Sequence, residues 1–359
     1  MFKIVKKTEV SSLKAVEQSL FAVVCALLAT AIIILIMGYN PLEMYGAMIK
    51  GSLMSAYRFQ ETIHKAVPLV VISLGIAIAF KMKFWNIGAE GQFYMGAFAA
   101  TYFALNFAFL PKPILLLLMA LAALVSGAIW CFIPGILKAK LGTNETLVTL
   151  MMNYIAIKWI TYLQYGPWKD PNSTGFPRIA LFDDAAVLPK LFGVHIGWVI
   201  ALILAVLVFI FLKKTKLGYE ITVVGENVST AKYAGMNVTK ILLIAVSLSG
   251  AICGLAGMMQ ASAIERTLTY QMSGGIGFTA IITCWLAKLN PIAVVFVSFF
   301  FAVLIQGGNY IQVAMSIPAA IAEVLQGIIL FFVLGSEFFT RYKIVRVKKS
   351  PQKAEGVAE

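Results

Sequence analysis

Long apolar runs alternate with short polar or basic segments along most of this chain. A helix needs about 20 apolar residues to cross the hydrocarbon core of a membrane. Runs near that length predict ten spans, at about residues 20–38, 64–80, 87–109, 114–137, 146–162, 198–212, 241–260, 275–287, 292–306 and 317–335. The eighth run is too short to cross alone, which is typical of a broken helix in a transporter. The pattern predicts an all-α polytopic membrane protein with about ten transmembrane helices.

Lysine and arginine residues cluster between alternate spans, as they do in cytoplasmic loops. The segments assigned to the cytoplasm are 1–19, 81–83, 138–140, 213–240, Lys288 and the basic tail 338–359. Together they hold 20 of the 29 basic residues. Residues 20–337 are then one transmembrane domain with both chain ends cytoplasmic. Residues 164–196 are predicted to be an extracytoplasmic loop, because their Pro, Asp and Asn content prevents a continuous helix.

An even number of spans also allows two halves of five helices in opposite orientation, which is a common transporter plan. Each half contains a glycine-rich polar break, at residues 86–92 and 273–278. We therefore allow for two inverted five-helix halves with broken helices.

The composition leaves little room for soluble mass. The chain is 60% hydrophobic and 13% charged, against about 45–50% and 25% in a soluble domain. The net charge of +13 is accounted for by basic cytoplasmic loops, so we expect no nucleic-acid partner. The sequence has no GxxxxGK[ST] phosphate loop, no HExxH and no CxxC. We therefore expect no catalytic site, no metal site and no cofactor bound by this chain.

Residues 86–92 are the main candidate for chemistry within the predicted spans. They place Asn86, Glu90 and Gln92 beside two glycines at a helix junction. A carboxylate in hydrocarbon is costly, so Glu90 is expected to face protein or a water-filled path. Both interpretations remain open: lining the path of a polar solute, or fastening helices together. For Glu145, a functional role and a stabilising role at the positive N-terminus of a helix are equally favoured.

A second informative stretch lies in the cytoplasmic segment 213–240. Asn227 or Ser229 can cap a short helix of about residues 229–234, and Gly235 can end it in the left-handed conformation. Such a helix could fit a groove on another protein. The plainer interpretation is a loop helix lying on the membrane surface.

Three stretches closely resemble the ABC importer permeases for nucleosides, within the wider group of simple-sugar and branched-chain amino-acid permeases. They are Asn-Ile-Gly-Ala-Glu-Gly-Gln at 86–92, Gly-Thr-Asn-Glu at 142–145 with Thr-Leu-Met-Met-Asn-Tyr-Ile-Ala at 149–156, and the Gly-Glu-Asn to Tyr-Ala-Gly-Met stretch at 225–236. The resemblance covers about residues 20–337. Many members of the group have Gly-Arg where this chain has Ala287-Lys288.

The resemblance implies one membrane subunit of an importer in the cell membrane, surrounded by lipid. It would pair with a second permease subunit, which could be a similar chain or a copy of itself. An extracytoplasmic substrate-binding lipoprotein would deliver a nucleoside. Separate ATPase subunits would use the ATP and dock on the 213–240 loop. The implied coupling residues are Gly225, Glu226, Asn227, Ala231, Tyr233, Ala234 and Gly235.

A nucleoside presents hydroxyls and base edges to amides, and a flat base to aromatic rings. The candidate residues of the substrate path or gate are Asn86, Glu90, Gln92, Asn144, Asn153 and Phe278. Two other transporter types stay open at this point. One is a permease for simple sugars, and the other is a proton-coupled secondary carrier that uses Glu90 or Glu323.

Overall fold

The computed structural model describes residues 2–6, 12–318, 342–346 and separate positions between 320 and 335. The chain forms two compact units, one of residues 1–45 with 315–359 and one of residues 46–314. The proposed site lies in the second unit.

Helices make up most of the described chain. They are α1 Ser12–Ile36, α2 Pro41–Leu53, α3 Ala56–Lys81, α4 Ala89–Asn106, α5 Lys112–Leu141, α6 Glu145–Tyr165, α7 Gly197–Lys214, α8 Lys216–Glu226, α9 Val228–Tyr233, α10 Val238–Gln260, α11 Ile276–Leu286 and α12 Pro291–Ala314. A π-helical turn, Ala261–Glu265, extends α10, and a short 3-10 helix covers Asp184–Ala186. The strands are β1 Phe2–Lys6, β2 Lys190–Leu191, β3 Val194–His195 and β4 Tyr342–Arg346.

Ten spans overestimate what the structure shows. Among the described residues, six helices are long and apolar enough to cross a membrane, namely α3, α5, α6, α7, α10 and α12. The bent pair of α1 and α2 would be a seventh. The predicted span 87–109 corresponds to α4. The first turn of α4 carries Glu90 and Gln92, and these polar residues lower the mean hydropathy of the helix. The short eighth run forms the 11-residue α11. The predicted span 317–335 is described only at separate positions after residue 318.

The expectation of an all-α chain misses two small sheets. β1 pairs with β4 in an antiparallel register that joins Phe2 to Arg346, and β2 pairs with β3. The segments of β1 and β4 share the tripeptide Lys-Ile-Val, and isoleucine and valine favour strands. Each segment is short, so neither showed a strand pattern that could be recognised without its partner.

Helix α10 lies at the centre of the second unit and packs on α3, α4 and α5. Its glycines allow this close packing. A Cβ atom on Gly254 would lie 2.3 Å from the Ala123 carbonyl oxygen of α5, and one on Gly257 would lie 1.9 Å from the Phe93 carbonyl oxygen of α4. Helices in a membrane associate through such small residues, because lipid offers no hydrophobic drive for their contact.

Segments predicted to be cytoplasmic lie together at one end of this unit. Gly225 of α8 packs against the Lys81 carbonyl oxygen at the end of α3. The Lys138 ammonium of α5 lies 2.8 Å from the Glu145 carboxylate of α6. The charged ends of these helices therefore share one side, as their order along the chain requires.

The loop 164–196 lies at the other end. The Gln60 side-chain amide donates to the Phe192 carbonyl oxygen at 3.2 Å, and the His64 and His195 rings stack with centroids 5.0 Å apart. Burial, followed by the nearby His64 and Lys190, lowers the pKa of His195 to about 4. The His195 imidazole is therefore neutral at physiological pH, which suits its buried place against α3.

The glycine contacts predict a contrast between two substitutions. Gly254→Ala should cost about 1–3 kcal/mol, because a methyl group cannot enter the α5–α10 contact without moving backbone. Gly46→Ala should be neutral or slightly stabilising, because a Cβ there meets no atom beyond its own helix backbone and alanine favours a helix. Thermal unfolding of the purified protein in detergent measures both. Equal melting temperatures for the two variants would contradict the tight packing around α10.

Candidate functional site

The turn between α3 and α4 is fixed by a pair of side-chain amides. The Asn86 amide nitrogen donates to the Gln92 amide oxygen at 3.1 Å, and Gln92 donates back to Asn86 at 2.8 Å. Asn86 also donates to the Ser249 hydroxyl of α10 at 3.2 Å and accepts from the Gly88 backbone N–H at 3.0 Å. Both amides are buried. The polar atoms of this pair are thus occupied by the chain itself.

Helix α6 holds the same turn from the other side. Asn153 accepts a hydrogen bond from the Gly91 N–H at 2.8 Å and donates to the Ile87 carbonyl oxygen at 2.9 Å. Thr149 accepts from the Ile87 N–H at 3.2 Å. Asn153 is buried. These bonds satisfy free backbone groups at the start of α4, where the first turn of a helix leaves N–H groups without partners.

Glu90 joins α4 to the start of α11. Its carboxylate accepts from the Ser273 hydroxyl and, at 2.7 Å, from the Gly277 backbone N–H. The positive N-terminal end of a helix stabilises a negative charge placed there, and Glu90 is only 3% exposed. The polar breaks predicted at 86–92 and 273–278 therefore meet in space. The neighbouring Tyr94 hydroxyl donates to the Tyr270 carbonyl oxygen at 2.6 Å.

The structure brings four of the six candidate path residues together: Asn86, Glu90, Gln92 and Asn153. The other two candidates, Asn144 and Phe278, lie outside this hydrogen-bonded group. Asn144 is exposed and caps α6, accepting from the Thr146 N–H at 3.0 Å. The Phe278 side chain is exposed in the first turn of α11.

The remaining acids have simpler surroundings. Glu145 lies in the first turn of α6 and pairs with Lys138, which favours the helix N-terminal interpretation of this residue. Glu323 is exposed. Within the part of the chain that the structure describes, no group of three or more His, Cys, Asp or Glu residues could hold a metal ion.

Three hydroxyl partners of this cluster were not predicted. Thr149, Ser249 and Ser273 each lie in or beside an apolar helix, where a small hydroxyl gives little signal in sequence. The glycine-rich stretch around Ser273 was recognised as a break, but its meeting with Glu90 could not be seen along the chain.

The cytoplasmic loop forms the short helix that its capping residues indicate. α9 begins after Asn227, which accepts from the Ser229 N–H at 2.9 Å and the Thr230 N–H at 3.2 Å. It runs from Val228 to Tyr233, one residue earlier than predicted, and Gly235 follows at φ +75°.

The seven proposed coupling residues divide by exposure. Gly225 and Ala231 are buried against this chain. Glu226, Asn227, Tyr233, Ala234 and Gly235 are exposed, with Tyr233 at 95%. Only the exposed group offers side chains or backbone to a partner.

Comparison with known proteins places this architecture among transport permeases. Residues 59–334 match the family described as branched-chain amino acid transport system, permease component. The chain is 36% identical to the glucose ABC transporter permease protein TsgB13 of Haloferax volcanii, over 90% of this chain and 88% of that one. It is 32% identical to the nucleoside ABC transporter permease protein NupB of Lactococcus lactis, covering 88% and 89%. It is 31% identical to the guanosine ABC transporter permease protein NupP of Bacillus subtilis, covering 92% and 96%.

The contacts of Glu90 predict a graded loss of stability. Glu90→Ala leaves the Ser273 hydroxyl and the Gly277 N–H without an acceptor, which should cost about 3 kcal/mol. Glu90→Gln keeps one acceptor oxygen and should cost less. Glu226→Gln, at an exposed position, serves as the control and should not change the melting temperature. Unfolding of Glu90→Ala at the wild-type temperature would refute the fastening role.

Proposed function

The chain belongs to the permease family of branched-chain amino acid transport systems, and we propose that it is the nucleoside-translocating permease of an ABC importer. As an ABC transporter permease component, it is a multi-pass membrane protein and is not itself a catalyst. The observation that supports nucleosides most directly is that NupB and NupP match along most of this chain. The motif at 86–92 points the same way.

A sugar is the second candidate substrate. TsgB13, named as a glucose permease, is more identical to this chain than either nucleoside relative. The two classes share hydroxyl groups, and the flat, aromatic base is what distinguishes a nucleoside.

Separate ATPase subunits are proposed to dock on α9. An aromatic side chain at 95% exposure has no apolar cover within its own chain, and exposed aromatic anchors often dominate the energy of protein interfaces. ATP binding and hydrolysis in the partner would move α9 and α8. Because Gly225 of α8 packs on the Lys81 carbonyl oxygen, that movement would reach the end of α3 and the turn that Asn86 and Gln92 hold.

The remaining partners follow from the same function. The loop 164–196 would face the extracytoplasmic binding protein, and a second permease subunit would complete the membrane part. Both termini are proposed to be cytoplasmic. In support, β1 pairs with β4, which brings the two terminal segments together. These strands carry Lys3, Lys6, Lys343 and Arg346, and basic residues favour the cytoplasmic side.

Docking on α9 predicts a specific defect. Tyr233→Ala should weaken co-purification of the ATPase about tenfold or more, as loss of an aromatic anchor does in other interfaces. Uptake should fall with it, while the melting temperature stays unchanged because Tyr233 packs on little of its own chain. Phe109→Ala, at another exposed aromatic side chain outside both the cytoplasmic loop and the loop 164–196, is the matched control. ATPase retention by Tyr233→Ala would overturn the docking assignment.

Substrate class is tested by competition in the intact transporter. The complex, purified through a tag on this chain with its partners, is reconstituted into liposomes that contain ATP. We expect ATP-dependent uptake of labelled guanosine or uridine that excess glucose does not inhibit. Labelled glucose uptake without nucleoside competition would replace the proposal with a sugar permease. Nucleoside accumulation driven by a pH gradient, without ATP or ATPase, would instead indicate a secondary carrier.

A further inference from the structure

Helix α6 differs from its neighbours on its exposed face. Away from their lysine-bearing ends, α5 and α7 expose apolar side chains, as expected for helices in contact with lipid; these include Leu121, Ile129 and Val206. On α6 the exposed face carries Lys158 in the interior of the helix. A lysine inside a span normally faces protein or a water-filled cavity, because an ammonium group in hydrocarbon is costly.

Lys158 is the centre of a polar and aromatic stripe. Tyr154, Lys158 and Tyr162 follow at intervals of four residues, so they lie one above the other on the same face. All three are exposed. No ion pair in the described part of the chain involves Lys158. The two tyrosine hydroxyls add hydrogen-bonding groups on either side of the ammonium.

The orientation of this stripe is set by the candidate site itself. The opposite face of α6 carries Thr149 and Asn153, which bind the start of α4 through the hydrogen bonds to Ile87 and Gly91. Rotation of α6 that would bury Lys158 would break these bonds. The same amide therefore fastens the helix and holds Lys158 outward.

We propose that the face of α6 formed by Tyr154, Lys158 and Tyr162 lines the water-filled substrate path and contacts the nucleoside. This inference rests on the proposed function. It moves substrate contact away from Asn86, Gln92 and Asn153, whose polar atoms already bind within the chain.

The chemistry of this face suits a small solute with a flat ring and hydroxyl groups. Tyr154, Ile155, Lys158, Trp159 and Tyr162 line a shallow, wide-open depression on the surface of α6. Trp159 meets Phe98 edge to face, with ring centroids 6.0 Å apart, and lies 5.8 Å from the Tyr162 ring. These rings can stack on a base, and the Lys158 ammonium can donate to base carbonyl and ribose hydroxyl oxygens.

Cysteine accessibility in the intact transporter tests the proposal. Lys158→Cys and, separately, Tyr162→Cys are made in a Cys25→Ser background, because the other three native cysteines are buried. Val206→Cys on the apolar face of α7 is the matched control. A charged, membrane-impermeant thiol reagent should modify positions 158 and 162 about tenfold or more faster than position 206, because such a reagent does not enter hydrocarbon. Excess guanosine should slow the reaction at 158, and glucose should not.

The outcomes separate this proposal from the proposed function. Reaction at 158 and 162 no faster than at 206 would overturn the path assignment, and would show a face covered by lipid or protein, even if nucleoside uptake is confirmed. Fast reaction that glucose slows and guanosine does not would keep the path and replace the substrate. Fast reaction that neither solute slows would overturn the substrate contact.

Discussion

The structure depends on one constraint: a polar group placed among membrane helices must find its partner inside the protein. The turn between α3 and α4 shows how the chain meets it. Two side-chain amides bind each other, Asn153 satisfies free backbone groups, and Glu90 accepts from the start of a different helix. Three separate elements, α6, α10 and α11, are thereby tied to a stretch of seven residues. The arrangement explains why this part of the sequence is so polar.

Close helix packing makes these bonds possible. Side-chain hydrogen bonds require partners at about 3 Å, and such distances across helices require backbones that approach closely. The glycines of α10 supply this approach toward α4 and α5. Ser249, one turn before Cys253 on the same helix, reaches Asn86 from this position. The hydrogen bonds of the polar cluster therefore depend on the close helix packing that the glycines allow.

Local structure, such as helix caps and ends, could be predicted from the sequence, whereas contacts between residues far apart in the chain could not. The cap at Asn227 and the left-handed Gly235 defined α9 to within one residue, because both act on the nearest backbone. The shortness of the eighth apolar run likewise predicted α11. The binding of Glu90 to Ser273 and Gly277 had no such signal, since hydrophobic patterns do not report which breaks meet. Span counting failed at α4 because the polar groups that identify the junction also lower its hydropathy. Lys158 was visible inside an apolar run, but its exposure required the orientation of α6.

The position of Glu90 along the chain has a consequence for biogenesis. Its partners Ser273 and Gly277 are separated from it by 183 and 187 residues. At a synthesis rate of about 5–20 residues per second, the ribosome needs roughly 10–40 s to make them after Glu90 has emerged. During that time the carboxylate has none of its final donors. The start of α4 must therefore wait near water, or in contact with the insertion machinery, until α11 arrives. The fold of this membrane unit is therefore completed late in translation, when α10 and α11 join the helices made before them.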